Sequence, residues 1–169
     1  MLALQALCAF EAVGDAFSAQ VDEFLHDEQV LADLGLRAPP PPEVAGFAGE
    51  LARGAWARRR VLDEKLAQTA AHWSVGRMTP VDRNILRLGL HELLSSPDNP
   101  PQVVINEAIE LARLFGDTDS PAFVNGVLDA VWHALGSECR TADVRDQETS
   151  GSRPERGAES GADAEHGTV

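Results

Sequence analysis

Basic residues are concentrated in one short part of an otherwise acidic chain. The 169-residue sequence has 14 lysines and arginines against 27 aspartates and glutamates, a net charge of −13. Residues 53–87, called the basic segment below, nevertheless hold eight basic and three acidic residues. The basic ones are Arg53, Arg58, Arg59, Arg60, Lys65, Arg77, Arg83 and Arg87. Guanidinium groups bind phosphate oxygens, so the basic segment predicts a local nucleic-acid-binding surface. The alternative is a solvated helix face paired with nearby acids.

Residue patterns typical of catalysis or metal binding do not occur in the sequence. The five histidines are scattered, without His-Glu-x-x-His spacing, and there is no Cys-x-x-Cys, phosphate loop or Gly-x-Ser-x-Gly motif. Glu107 and Glu110 stand one helical turn apart, but this spacing is more typical of an exposed helix face than of acid–base catalysis. We therefore expect no enzymatic activity, no cofactor and no metal.

Composition places the chain among folded, intracellular proteins. Hydrophobic residues make up 44% of the sequence, which argues against wholesale disorder. No run of eighteen apolar residues and no signal-peptide pattern is present, so we expect no membrane span and a cytoplasmic location. Cys8 and Cys139, which are the only cysteines, fit a reducing compartment.

The elements that must position the basic residues are all predicted to be helices. The clearest covers residues 79–94, with Thr79 as N-cap, Pro80 at the first helical position and Asp82 completing a capping box. Ser120 is the predicted N-cap of the last helix, and Gly136 its predicted end. Other helices are expected at about residues 4–13, 18–34, 43–75 (as one or two) and 102–115. No period-two strand pattern is present, so the fold is predicted to be an all-α bundle.

Two segments mark boundaries in this bundle. Residues 39–42 are four consecutive prolines, and they predict a proline-rich loop over residues 38–42 between helical regions. Residues 137–169 are polar and acidic, too poor in apolar side chains to offset their ordering entropy. We expect one helical domain over residues 1–136 and a disordered tail over 137–169.

Two glycines are predicted to lie inside helices. Gly89 and Gly126 each cost about 1 kcal/mol relative to alanine there, so each predicts a close helix crossing. Asn125 is predicted to hydrogen-bond within the bundle rather than to face a ligand.

Several blocks in the second half of the chain stand in a recognisable order and spacing. They are DRNILRL (82–88), HELL (91–94), VVINEAIELA (103–112), FG (115–116), Ser120 and FVNGVLD (123–129), preceded by ALQAL at residues 3–7. Together they resemble the NusB family of bacterial transcription antitermination factors, over about residues 2–135. The resemblance implies an all-α fold of about six to seven helices in two three-helix subdomains, without catalysis.

The resemblance also implies partners. NusB-like proteins bind the boxA element of ribosomal RNA leaders together with the ribosomal protein NusE, in an antitermination complex on RNA polymerase. Our candidate phosphate contacts are Arg53, Arg58, Arg59, Arg60 and Arg77. Phe123 is a candidate for base stacking, although it also has core spacing with Val127 and Val131. Asp119 would limit RNA affinity, or else complement the positive end of the last helix.

The chain departs from the family pattern in three places. Met1 and Leu2 begin inside the first helix, where the family has a preceding arginine-rich arm, so we expect a true start upstream. Cys8 and His91 replace aromatic residues, which puts protein contacts nearby in question. One alternative function is an RNA-independent helical module that binds a ribosomal protein or forms a homodimer. Another is a targeting domain for a separate RNA methyltransferase.

Overall fold

The secondary structure of the chain is helical throughout the described residues. The computed structural model describes residues 1–69, 78–96 and 98–150, and of 136–150 the backbone alone. The elements are α1 (Leu2–Val13), a 3₁₀ helix (Asp15–Ala19), α2 (Val21–Phe24), α3 (Glu28–Asp33), α4 (Pro42–Ala57), α5 (Arg59–Thr69), α6 (Pro80–Ser95), α7 (Pro101–Phe115) and α8 (Ser120–Ser150). The all-α prediction is confirmed. Among the described residues, every helix is too short or too polar to pass through a lipid bilayer.

Helix α6 is the centre of the bundle. It contacts α1, α4, α5 and α7, and ten of its sixteen residues are buried. Its predicted N-cap is confirmed, because the Thr79 hydroxyl accepts a hydrogen bond from the backbone N–H of Asp82 (3.1 Å). The Asp82 carboxylate accepts from the same hydroxyl (2.9 Å) and not from the Thr79 backbone N–H that a capping box uses. The six longer helices form two sets of three in chain order, α1, α4 and α5, then α6, α7 and α8. Their number agrees with the predicted two three-helix subdomains, and contacts of α6 with α1, α4 and α5 join the two sets.

The first half of the chain is more segmented than its sequence pattern predicts. Residues 18–34, expected as one helix, contain the end of the 3₁₀ helix and the short helices α2 and α3. Asp27 begins α3, because its carboxylate accepts from the N–H groups of Gln29 (2.9 Å) and Val30 (3.1 Å). Helix α4 ends at Ala57, and Arg58 separates it from α5. Of the predicted helix over 43–75, residues 70–75 lie outside the described residues.

The last helix starts at the predicted residue, but its predicted cap and its predicted end are wrong. Ser120 is the first residue of α8, and its hydroxyl accepts from the backbone N–H of Asp117 (2.9 Å), which closes the preceding loop instead of capping the helix. The helix continues past Gly136 to Ser150, since one glycine costs a helix only about 1 kcal/mol. Contacts within the chain divide it into units Met1–Gly136 and Ser137–Val169. Residues 151–169 lie outside the described residues, and their disorder stays a prediction.

One of the two predicted helix crossings exists. A Cβ on Gly89 would lie 2.9 Å from Leu128 Cδ1, so α6 and α8 approach closely there, as predicted. Gly126 has nothing within 4 Å of a Cβ position and is exposed, so its predicted crossing is wrong. The neighbouring Asn125 is exposed as well, and its predicted place within the bundle is wrong. Gly126 lies on the side of α8 opposite its buried residues Val124 and Leu128, and Asn125 lies between the two sides.

Candidate nucleic-acid interface

Three consecutive arginines lie where α4 gives way to α5. Arg58 has φ −97° and ψ 5° at the C-terminal cap of α4, and its carbonyl accepts the Leu62 N–H (3.0 Å). Its exposed side chain reaches the end of α6, where it donates a hydrogen bond to Ser95 Oγ (2.9 Å). Arg60 is exposed, and the structure records no ion pair between it and any described residue. Arg58 and Arg60 therefore present positive charge to solvent at this junction.

Arg59 is held inside a stacked arrangement of side chains. Its guanidinium lies 4.1 Å from the centroid of the Trp56 ring and donates to the Trp56 carbonyl (3.0 Å). It also forms an ion pair with Asp15 (3.4 Å), which accepts from the Trp56 indole N–H (2.7 Å). Trp56 in turn stacks on buried Phe10, with 5.5 Å between ring centroids. Much of the charge of Arg59 is thus already compensated within the protein.

Of the other two candidate arginines, the structure describes Arg53 and not Arg77. Arg53 forms an ion pair of 2.8 Å with Asp22, which is more exposed than the arginine (75% against 33%). Arg77 lies outside the described residues. Arg53 can release its exposed partner more easily than a buried arginine can, because exposed pairs contribute little stability.

Two arginines of the basic segment belong to the interior rather than to the surface. Arg87 is buried, and its guanidinium makes two hydrogen bonds to the Asp63 carboxylate, of 2.8 and 2.7 Å. Arg83 pairs with Glu11 of α1, and its Nε lies 3.0 Å from that carboxylate. Asn84 completes the network by donating to Glu11 (2.7 Å). Because this network joins α1, α5 and α6, its charges serve packing and are not available to RNA phosphates.

Asp119 and Phe123 lie at the start of α8. Asp119 is exposed, and its carbonyl accepts from the Phe123 N–H (3.1 Å). Phe123 is half-buried and packs against the hydrophobic core, as its spacing with Val127 and Val131 indicates. Arg58, Arg59 and Arg60 thus lie together at the α4–α5 junction, while Arg53 lies within α4 beside Asp22 of α2. Phe123 and Asp119 lie on or next to another element, α8.

Three residues near this junction were not predicted from the sequence to belong to the site. The Trp56 ring stacks against the Arg59 guanidinium, and Ser95 Oγ accepts a hydrogen bond from Arg58. His91 is buried, with Nδ1 3.3 Å from Ser95 Oγ. Its pKa is lowered, mainly by burial and further by the nearby positive charge of Arg58. The Trp56–Arg59 contact crosses the boundary between α4 and α5, so helical i, i+3 spacing does not predict it. The Arg58–Ser95 contact spans 37 residues and left no local signal either.

Cys8 of α1 lies beside the network that joins α1, α5 and α6. Burial raises the pKa of the Cys8 thiol, and Asn84 Nδ2 lies 3.5 Å from its sulfur. A thiol with a raised pKa is a poor nucleophile, because thiolate is the reactive form. Within the described part of the chain, no three His, Cys, Asp or Glu residues are grouped to hold a metal ion.

Comparison with known proteins identifies relatives over most of the chain. A family model described as the NusB family matches residues 1–133. A transcription antitermination protein NusB from Geotalea daltonii is 41% identical over 138 residues, covering 79% of this chain and 91% of that protein. The solved structure of NusB from T. maritima is 33% identical with a TM-score of 0.60, covering 77% of this chain and 84% of that one. The solved structure of antitermination factors NusB and NusE in complex with double-stranded RNA has a chain 25% identical to this one, with a TM-score of 0.63 and coverages of 79% and 92%.

Proposed function

Because this chain belongs to the NusB family, we propose that it is a transcription antitermination factor that binds RNA together with the ribosomal protein NusE. The observation that carries the proposal is the match to that family over residues 1–133, which includes every described helix up to α8. The likeness to a NusB chain solved with NusE and double-stranded RNA supports both partners. The proposed role requires no catalysis and no cofactor.

We further propose which RNA it binds and in what setting. The RNA is the boxA element of ribosomal RNA operon leaders, and the complex is the antitermination complex on RNA polymerase, in the cytoplasm. Single-stranded RNA is recognised through phosphate contacts and through bases stacked on aromatic or guanidinium planes. A helical surface that offers exposed arginines meets the first of these requirements.

The proposed phosphate contacts follow an order set by what each arginine already binds. Arg58 and Arg60 are exposed and without an ion pair to any described residue, so phosphate contact requires no broken pair. Arg53 must release Asp22, and Arg59 must release Asp15. Arg77 stays a candidate from the sequence alone. We expect Arg58 and Arg60 to contribute most to RNA affinity.

We propose that Phe123 stacks on RNA bases and that Asp119 lowers the affinity for RNA. Phe123 is half-buried, so part of its ring faces outward while the rest packs on the core. Asp119 is exposed close by, one turn earlier in the chain, where its charge repels phosphate. The alternative roles, a purely structural ring and a charge that complements the N-terminus of α8, predict no effect on RNA affinity.

A second candidate function is an RNA-independent protein-interaction module. The observation that favours it is the internal pairing of four arginines with four acids. The pairs are Arg53 with Asp22, Arg59 with Asp15, Arg83 with Glu11 and Arg87 with Asp63. Half of the basic segment's positive charges are compensated in this way, which weakens its attraction for phosphate.

Fluorescence anisotropy with labelled boxA RNA separates the two functions. The chain is titrated with and without purified NusE, at low and moderate salt, against a scrambled RNA of equal length. The proposed function predicts salt-sensitive binding that NusE strengthens and that prefers boxA. Association with NusE, but with no RNA binding under either salt condition, would establish the protein-interaction module instead.

A further inference from the structure

An apolar groove opens beside the N-terminal end of α1. Its volume is about 560 Å³, and α1, the proline-rich loop, α4, α6 and α7 supply its walls. Three large hydrophobic side chains in it remain exposed, Met1 at 45%, Val44 at 45% and Phe47 at 55%. An exposed apolar surface that is gathered into a groove marks a binding site more often than apolar residues scattered singly.

The charge of this groove has one sign. Glu92 of α6 and Glu107 of α7 line it, and its described lining includes no lysine or arginine. The described side chains of the groove therefore combine apolar walls with two carboxylates.

The negative charge of the groove distinguishes among the molecules that could occupy it. RNA phosphates are repelled by Glu92 and Glu107. The chain's own segment 137–169 carries eight acidic against four basic residues. A positively charged protein segment with apolar side chains satisfies both the walls and the carboxylates.

We propose that this groove docks a basic amphipathic helix from a partner protein. The apolar side chains of the helix contact Val44 and Phe47, and its lysines or arginines face Glu92 and Glu107. Helical segments bind apolar grooves in this way through anchors at i, i+3, i+4 and i+7. The inference goes beyond the proposed function and does not rest on RNA binding.

A labelled synthetic peptide tests the apolar half of the proposal. The peptide has leucines at i, i+3, i+4 and i+7 and lysines elsewhere, and its binding is followed by anisotropy without RNA. We expect Phe47→Asp to weaken binding by about tenfold or more, because it places a carboxylate against the leucines. Leu114→Asp is the matched control, since Leu114 is 65% exposed and lies outside the groove lining. Phe47→Ala serves as a second variant, and thermal unfolding confirms that each variant is folded.

The charged half of the proposal is tested with the double variant Glu92→Gln, Glu107→Gln. We expect binding of the lysine peptide to fall by about threefold to tenfold at low salt and to become less salt-dependent. A peptide with glutamates in place of the lysines should not bind the wild-type protein.

Three results would overturn the proposal. The first is no binding of the lysine peptide, and the second is equal affinity for the wild type, Phe47→Asp and Phe47→Ala. The third is a wild-type dimer in sedimentation velocity that Phe47→Asp dissociates, because a second copy would then occupy the groove. RNA binding is measured separately, so failure of the groove and failure of the proposed function are distinct results.

Discussion

At the level of single residues, acids from the first 52 residues decide which arginines of the basic segment stay available. Asp15, Asp22 and Glu11 bind Arg59, Arg53 and Arg83 across helix boundaries. The sequence shows where acidic and basic residues are concentrated. It does not show which arginines are neutralised, because the ion pairs join residues 31 to 72 positions apart. Arg58 and Arg60 are left exposed, and we assign most of the RNA affinity to them.

The first prediction concerns these two arginines. We expect Arg58→Ala combined with Arg60→Ala to weaken boxA binding and to reduce the slope of log affinity against log salt by about 0.7 for each phosphate that is no longer bound. Anisotropy titrations at several salt concentrations, in the presence of NusE, measure both quantities.

Arg113→Ala is the control for this prediction. Arg113 is an exposed arginine of α7 that pairs with Glu110, so its removal changes the net charge equally per residue without touching the α4–α5 junction. If Arg113→Ala lowered the salt slope as much per residue as the double variant does, the phosphate contacts would not be specific to the junction.

The second prediction concerns pH and His91. The pKa of His91 lies below its ordinary value of 6.5, because burial and Arg58 disfavour the charged imidazolium. The unfolded chain therefore binds the proton first, so the stability that neutral His91 contributes is present above about pH 6.5 and is lost as pH falls through the lower folded pKa. We expect Tm to fall on acidification less steeply in His91→Gln than in the wild type. Circular dichroism melts from pH 7.5 to about 5 measure this, and parallel curves for the two proteins would show that His91 is not responsible.

At the level of elements, helix boundaries were predictable where the capping signal is local. Thr79, Pro80 and Asp82 form a local capping pattern, and the structure contains that cap. Ser120 also has a side-chain hydroxyl just before a proline, but this hydroxyl accepts from the N–H of Asp117 in the preceding loop. Helix α8 continues through Gly136, because a glycine ends a helix only when the backbone beyond it leaves the helical conformation.

Glycines in helices give a further prediction at this level. A Cβ on Gly54 of α4 would lie 2.3 Å from His91 Nε2 and 2.9 Å from Cε1, so α4 and α6 approach closely only because this residue is glycine. We expect Gly54→Ala to lower the free energy of unfolding by about 1–3 kcal/mol, since the imidazole ring must shift.

Gly46→Ala on the same helix is the matched control for Gly54→Ala. Gly46 is exposed with nothing within 4 Å of a Cβ position, so the alanine should stabilise the protein by up to about 1 kcal/mol through helix propensity. Urea denaturation measures both variants. Equal effects of the two substitutions would mean that the His91 contact does not set the packing of α4 on α6.

At the level of the whole molecule, fold and family were readable from sequence, and the arrangement of the candidate site was not. Helical periodicity and ordered motifs are local properties, and they predicted the all-α bundle and the family to which the chain belongs. Which arginines are exposed depends on long-range ion pairs. The groove beside α1 depends on five elements meeting, which no local pattern records.

The proposed action of this chain with NusE on boxA-containing transcripts can be tested by terminator readthrough. The assay uses a purified transcription system that contains RNA polymerase, NusE and the other antitermination factors, with and without this chain. We expect the chain to raise readthrough on a template with a boxA leader and to have little effect when boxA is scrambled. Readthrough that is unchanged by the chain on both templates, while the chain still associates with NusE, would contradict the proposed function.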